Sequence, residues 1–169
     1  MRRTWHAQVL DNLRIAVLAL AGCGGGSSSV RPAAEPGTKF ATANVSGLGT
    51  VLVDAKGRTV YILTNSGKKN APCTDASGCT AVWPDLPLPD GTSAATAGMA
   101  LDASLLGTMK ESDGETYPTY NGYLLYEYTG DSGRGQANGQ GIKSFGGTWY
   151  ALSPSGDPVK TLSGSGGYY

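Results

Sequence analysis

The chain has 169 residues, with 13 basic and 13 acidic side chains and no formal net charge. That length suits one domain of ordinary size, and the lack of a basic stripe argues against a nucleic-acid partner. No apolar run reaches the roughly 18–20 residues of a membrane-spanning helix, while 26 glycines and only 15% charged residues fit short strands joined by many turns.

Residues 1–22 read as an export signal: Arg2, Arg3 and Arg14 precede the apolar run Ile15–Ala21, and small residues follow. The Arg pair stands too far from that run for a twin-arginine signal. The ending Leu20-Ala21-Gly22-Cys23 is similar to the bacterial lipobox, in which the cysteine is lipidated and becomes the first mature residue. The alternative is an ordinary signal peptide with a cysteine there by chance. Residues 23–38 are mostly Gly, Ser, Pro and Ala and hold too little apolar surface to offset the entropy of ordering. They read as a flexible tether between lipid and domain. Gly24 stands where Asp would signal retention at an inner membrane, so a cell with two membranes could carry the protein on the outer one. Loss of the leader removes His6, the only histidine, and leaves ten basic against twelve acidic residues.

From Lys39 the composition changes. Lys39 to Val45 reads as a strand ahead of Ser46-Gly47, and LGTVLVDAKGRTVYILT as strand, turn, strand about Asp54-Ala55-Lys56-Gly57. The following loop holds Cys73 and Cys79 with five residues between them. In an exported protein that spacing predicts a structural disulfide closing a small loop. A redox-active pair usually has two intervening residues, and a metal site would lack the common histidine co-ligand. Trp83-Pro84 is expected to pack against the bridge.

Leu101 to Leu106 predicts one helical turn. GTMKESDGETYPTYNGYLLYEYTGD reads as three strands with turns at Ser112-Asp113-Gly114 and Asn121-Gly122; Asn-Gly suits the type I′ hairpin turn, whose two central residues need φ > 0. Pro118 must occupy a bulge or a non-hydrogen-bonded position. A strand over 123–128 would put Leu124, Tyr126 and Tyr128 on one face and Tyr123, Leu125 and Glu127 on the other. With both faces partly apolar, an all-β sandwich or barrel is expected. The Gly-rich stretch from Gly130 to Gly147 reads as a long loop that matches no phosphate-binding pattern. Trp149, Tyr150 and Leu152 begin a last strand, Pro154-Ser155-Gly156 a turn, and 163–169 a frayed tail.

A shift of 65 residues lays Gly122 on Gly57, Tyr126 on Tyr61, Gly114 on Gly49, Pro154 on Pro89 and Gly156 on Gly91, with Trp149 one residue off Trp83. Rare residue types keeping one offset point to duplication. The expected organisation of the domain, 39–162, is two antiparallel meanders with one further strand each, over about 40–98 and 99–162.

Tyr126, Tyr128 and Asp131 stand as Y-x-Y-x-x-D. With LGTVLVDAKGRTVYIL, the C-to-C-to-WP segment, LLGT, TYNGYLLY and GGTWYALSPSG, this resembles a bacterial lipoprotein repeat family with a Yx(FWY)xxD motif, a secreted repeat of unknown function. The resemblance covers residues 40 to 160. In the first unit Tyr61 holds, but Leu63 and Ser66 replace the aromatic residue and the Asp. The resemblance implies an exported, lipid-anchored protein of tandem β repeats, and no activity.

Without histidine or free thiol, the mature chain lacks His-assisted nucleophiles, thiol catalysis and His-ligated metals. No cofactor or metal site is expected. The stretch Asp131 to Gln140 lacks the alternating acidic ligands of a calcium loop. Asp113, Glu115, Glu127 and Asp131 are the carboxylates a hydrolase could pair, although Asp113 reads more simply as a turn residue and Asp131 as a strand-end cap. Tyr117, Tyr120, Tyr123, Tyr126 and Tyr128 suit either core packing or an exposed binding surface. The residues singled out are therefore Cys23 for lipid, Cys73 and Cys79 for the bridge, and Tyr61, Trp83, Tyr126, Tyr128, Asp131 and Trp149 as the candidate motif. The favoured expectation is a non-enzymatic binding module of the cell envelope, with a membrane and an unknown envelope protein or ligand as partners. A redox or electron-transfer accessory is the alternative.

Overall fold

In the computed structural model, which describes residues 39–65, 69 and 73–160, nine strands and two short 3-10 turns make up the regular structure. The expected export signal, Cys23, the tether, Ser66 and the tail 163–169 lie outside the described residues.

The first hairpin joins β1 (Lys39–Val45) to β2 (Gly49–Val53), with Thr42 opposite Leu52. The chain then turns at Asp54, whose Oδ1 accepts from the N–H groups of Lys56 (2.9 Å) and Arg58 (2.8 Å). Gly57 supplies the positive φ, +81°, that this turn needs. Beyond it β3 (Tyr61–Thr64) is short. The disulfide loop holds a 3-10 turn, Asp75–Ser77, and β4 is only Thr96–Ala97.

A second 3-10 turn, Ala103–Leu105, lies within the predicted helical turn, and Asp102 caps it by accepting from the Ser104 N–H. Next come β5 (Leu106–Lys110), β6 (Thr116–Tyr120) and β7 (Tyr123–Leu124), an antiparallel meander. Asn121 and Gly122 both have positive φ, +50° and +76°, as the hairpin turn requires. Pro118 faces Thr108 in an unbroken register. The Glu111 N–H bonds Glu115 O, and alternation along the ladder leaves Pro118 at a non-hydrogen-bonded position, so its missing donor costs nothing.

Three three-stranded sheets result, ordered β2-β1-β4, β3-β9-β8 and β5-β6-β7, where β8 is Lys143–Ser144 and β9 is Gly147–Ala151. The all-β expectation holds, but among the described residues no closed barrel forms. Three details correct the expected meanders. First, β4 runs parallel to β1, which needs a crossover rather than a tight turn. Second, β8 forms inside the stretch read as a loop and closes on β9 through the turn at Phe145 and Gly146. Third, the strand expected over 123–128 stops as a ladder at Leu124, because the chain changes partners. At Tyr126 it bridges Tyr61 on one side and Asp85 on the other.

That change of partner interlocks the two halves of the domain. The β3 strand pairs with β9 on one edge, Tyr61 opposite Ala151, and meets Tyr126 as well. Successive residues of β2 and β3 point to opposite sides. Val51, Val53, Tyr61 and Leu63 enter one apolar cluster with Trp83, Tyr126 and Trp149. Leu52, Val60 and Ile62 enter another with Phe40, Tyr120, Leu125 and Leu152. Burial on both faces explains why these strands read as near-continuous apolar runs.

Candidate functional site

Trp83 is the centre of the expected aromatic motif. Trp149 stacks on one face, with centroids 3.9 Å apart and planes 3° from parallel, and Tyr128 stacks at 4.4 Å and 30°. Tyr61 presents an edge to Trp83 at 5.5 Å, and Tyr126 is edge-on to Trp149 at 5.2 Å. Such stacked and edge-to-face pairs add to simple area burial. Trp83, Trp149 and Tyr61 are fully buried. The Trp83 indole N–H has no acceptor among the described residues.

Asp131 is buried at the end of this motif. Its Oδ2 accepts from the Tyr61 hydroxyl at 2.6 Å and its Oδ1 from the Asn138 N–H at 2.8 Å. The Gly139 N–H then donates to the Tyr61 oxygen. A carboxylate held by two donors folds the Gly-rich loop back onto the aromatic cluster. Burial, reinforced by the Asp131 hydrogen bond, raises the pKa of Tyr61 well above the ordinary phenol range. Gly139 is where the loop comes nearest: a Cβ there would stand 2.8 Å from the Trp83 ring and 2.9 Å from Tyr61.

Cys73 and Cys79 are bonded to one another, with Cα atoms 5.1 Å apart. Cys79 and Trp83 lie in the same buried cluster, and the Trp83 N–H donates to Cys79 O at 2.8 Å, so the Trp packs behind the bridge. The segment after it runs beside the motif: the Glu127 N–H bonds Pro84 O, and the Thr129 N–H bonds Val82 O.

The tyrosines do not form an exposed surface. Tyr117, Tyr120 and Tyr126 are buried, and Tyr123 and Tyr128 are half-buried. Among the described residues, Met99 is the large apolar side chain left in solvent. Nor are the four carboxylates considered for hydrolysis gathered at one site. Glu127 is paired with Arg58, which also bonds Asp54. Asp131 is bound to Tyr61, and Asp113 closes its own turn by accepting from the Glu115 N–H.

A different group of acids does come together. Asp75 and Asp85, Glu111 and Asp113 line a cavity of about 470 Å³ between the disulfide loop and the β5–β6 turn. Its remaining walls include Tyr117, Leu124, Leu125 and Tyr126. The Tyr117 hydroxyl donates to Asp113 at 2.6 Å, which, with the Glu115 N–H, holds that carboxyl below its usual range. Asp85 is pushed the other way, by burial first and then by Asp75, Asp113 and Glu111. Burial and the charges of Asp85 and Glu111 likewise raise Tyr126. Sequence reasoning missed this site because its acids are scattered between residues 75 and 113 and carry no motif. A weak signal existed in the Asp between the cysteines and the Asp directly after Trp83-Pro84.

The architecture is that of a disulfide-braced all-β domain. Residues 107–153 match the pattern of a family described as a secreted repeat of unknown function, the family that the sequence motifs resemble. The match runs from β5 through β9 and includes Tyr126, Tyr128, Asp131 and Trp149; that the family is secreted supports export of this chain. No curated protein matches the chain, and no solved structure matches it.

Proposed function

We propose that this is an exported cell-envelope protein, anchored through lipid on Cys23, whose folded domain is a non-enzymatic binding module with its site in the acidic cavity. The supporting observation is the cavity itself: four carboxylates gathered around tyrosine and leucine walls, with neither ion pair of the described residues involving any of them. A concave site with a few convergent polar groups is the usual form of a ligand site. The Yx(FWY)xxD motif then serves the site indirectly, by holding Tyr126 between Tyr61 and Asp85.

Affinity capture from envelope extract tests the reading, comparing wild type with Asp85→Asn and Tyr126→Phe. A molecule captured by wild type, lost from folded Asp85→Asn and reduced in folded Tyr126→Phe is the expected result. Equal capture by all three would overturn the choice of site. The anchor is tested separately by intact mass of the membrane fraction: lipid on Cys23 is expected, and an unmodified chain cut elsewhere and free in the medium would refute it.

A further inference from the structure

The cavity concentrates negative charge. Asp75, Asp85, Glu111 and Asp113 all line it, and no basic side chain does so among the described residues. Repulsion of this kind raises the energy of the unliganded site unless something positive enters it.

Tyr126 supplies an independent indication. The residue is only 4% exposed and lines the same cavity. Its hydroxyl feels the charges of Asp85 and Glu111, yet no hydrogen-bond partner for it exists among the described residues. The ring is buried while the hydroxyl, unlike the Trp83 indole N–H, keeps an open side, so it is free to bond a ligand that enters the cavity.

The acids do not suit a metal ion. Among the described residues no three of Asp, Glu, His or Cys converge on one position, as a bound calcium or magnesium would require. Dispersed carboxylates over an apolar floor of Leu124 and Leu125, with two tyrosine rings, instead fit a cation spread along an alkyl chain. Ammonium groups can bond the acids as charge-assisted donors, the chain can lie on the leucines, and the rings can take a cation over their faces.

We infer that the cavity binds alkylammonium groups: an aliphatic diamine or polyamine, or the lysine side chains of a peptide. This rests on the binding-module reading and specifies its ligand chemistry.

The test is titration calorimetry of the disulfide-bonded exported chain at low salt. The probes are 1,5-diaminopentane, n-pentylamine, 1,5-pentanediol, a blocked Lys-Lys dipeptide and Ca²⁺. The diamine should bind saturably and at least about tenfold more tightly than pentylamine, as one further charge-assisted bond implies. The diol should not bind, and raising the salt should weaken the diamine. Asp85→Asn and Glu111→Gln should each weaken the diamine by about tenfold or more, and Tyr126→Phe by a smaller factor. Asp157→Asn, which does not line the cavity, should leave binding unchanged. Tighter binding of the dipeptide than of the diamine assigns the cation to a peptide, and the reverse to a free amine. Lack of saturation by both, diamine binding indifferent to the folded Asp85 and Glu111 variants, or Ca²⁺ binding more tightly than either would overturn the inference. The two levels separate in the capture experiment. A neutral or anionic molecule lost from Asp85→Asn would leave the binding site standing and remove the cation. Capture indifferent to the cavity variants would remove the site.

Discussion

Tyr61 and Tyr126 exchange both backbone hydrogen bonds, Tyr61 N–H to Tyr126 O at 2.8 Å and Tyr126 N–H to Tyr61 O at 3.0 Å. They are the residues that the 65-residue offset superimposes. An approximate two-fold axis between them is what two copies of one unit would generate on pairing antiparallel at equivalent positions. In the hairpins the correspondence slips by one residue: Thr42 opposite Leu52 answers to Thr108 opposite Pro118. Leu48, not Gly49, then stands where Gly114 does, since their N–H groups bond Val45 O and Glu111 O respectively. A duplication therefore predicts that the β1–β2 and β5–β6 hairpins superpose with this slip while the tyrosines superpose without it. An experimental structure checks both, and unrelated positions for the two tyrosines would contradict it.

Tyr61→Phe keeps the ring packing and removes the hydroxyl that Asp131 accepts. The carboxylate stays buried with the Asn138 N–H as its remaining donor. Loss of a hydrogen bond to a charged group is expected to cost about 1.5–3 kcal/mol, read from the shift in urea midpoint at unchanged slope. A change within error would show that the Tyr61–Asp131 bond contributes nothing net.

Gly139→Ala tests the closure of the Gly-rich loop. The added methyl would meet the rings of Trp83 and Tyr61, both fully buried, at less than 3 Å. Overpacking of this kind costs about 1–3 kcal/mol. Gly133→Ala, where nothing stands within 4 Å, should be nearly silent in the same melts.

Glu127 predicts a pH dependence. It is 8% exposed, and burial, with Asp54 as a second cause, pushes its carboxyl from 4.5 up to about 7, against the pull of Arg58. The folded state therefore holds this proton more tightly than the unfolded chain. Its contribution is fully present below pH 4.5 and is lost as the pH rises through about 7. Glu127→Gln should flatten the stability profile across that window, by an amount on the order of 2 kcal/mol. A variant profile parallel to wild type would refute the assignment.

Opening the Cys73–Cys79 bridge should cost about 2 kcal/mol, from the entropy of so short a loop. Because Cys73 and Asp75 both line the cavity, the Cys73→Ser, Cys79→Ala variant should also lose ligand capture under conditions where it stays folded. Capture retained at wild-type level would show that the loop is not needed to shape the site.

The amino-acid sequence by itself determined the local structure. Alternation and β-branched residues marked β1, β2, β5 and β6, Asn121-Gly122 and Asp54–Gly57 marked their turns, and the spacing of Cys73 and Cys79 marked a closed loop. These features depend on interactions within a few residues, so a local pattern carries them. Only the tertiary structure decided that Tyr126 joins Tyr61 to Asp85, that β4 runs parallel to β1, and that Asp131 holds Tyr61 rather than facing a ligand. It also decided that acids from the disulfide loop and from the β5–β6 turn share one cavity. Periodicity tells which face of a strand is apolar, not which distant segment covers it. That choice is made by packing and hydrogen bonding between residues dozens of positions apart, where the sequence carries no period to read.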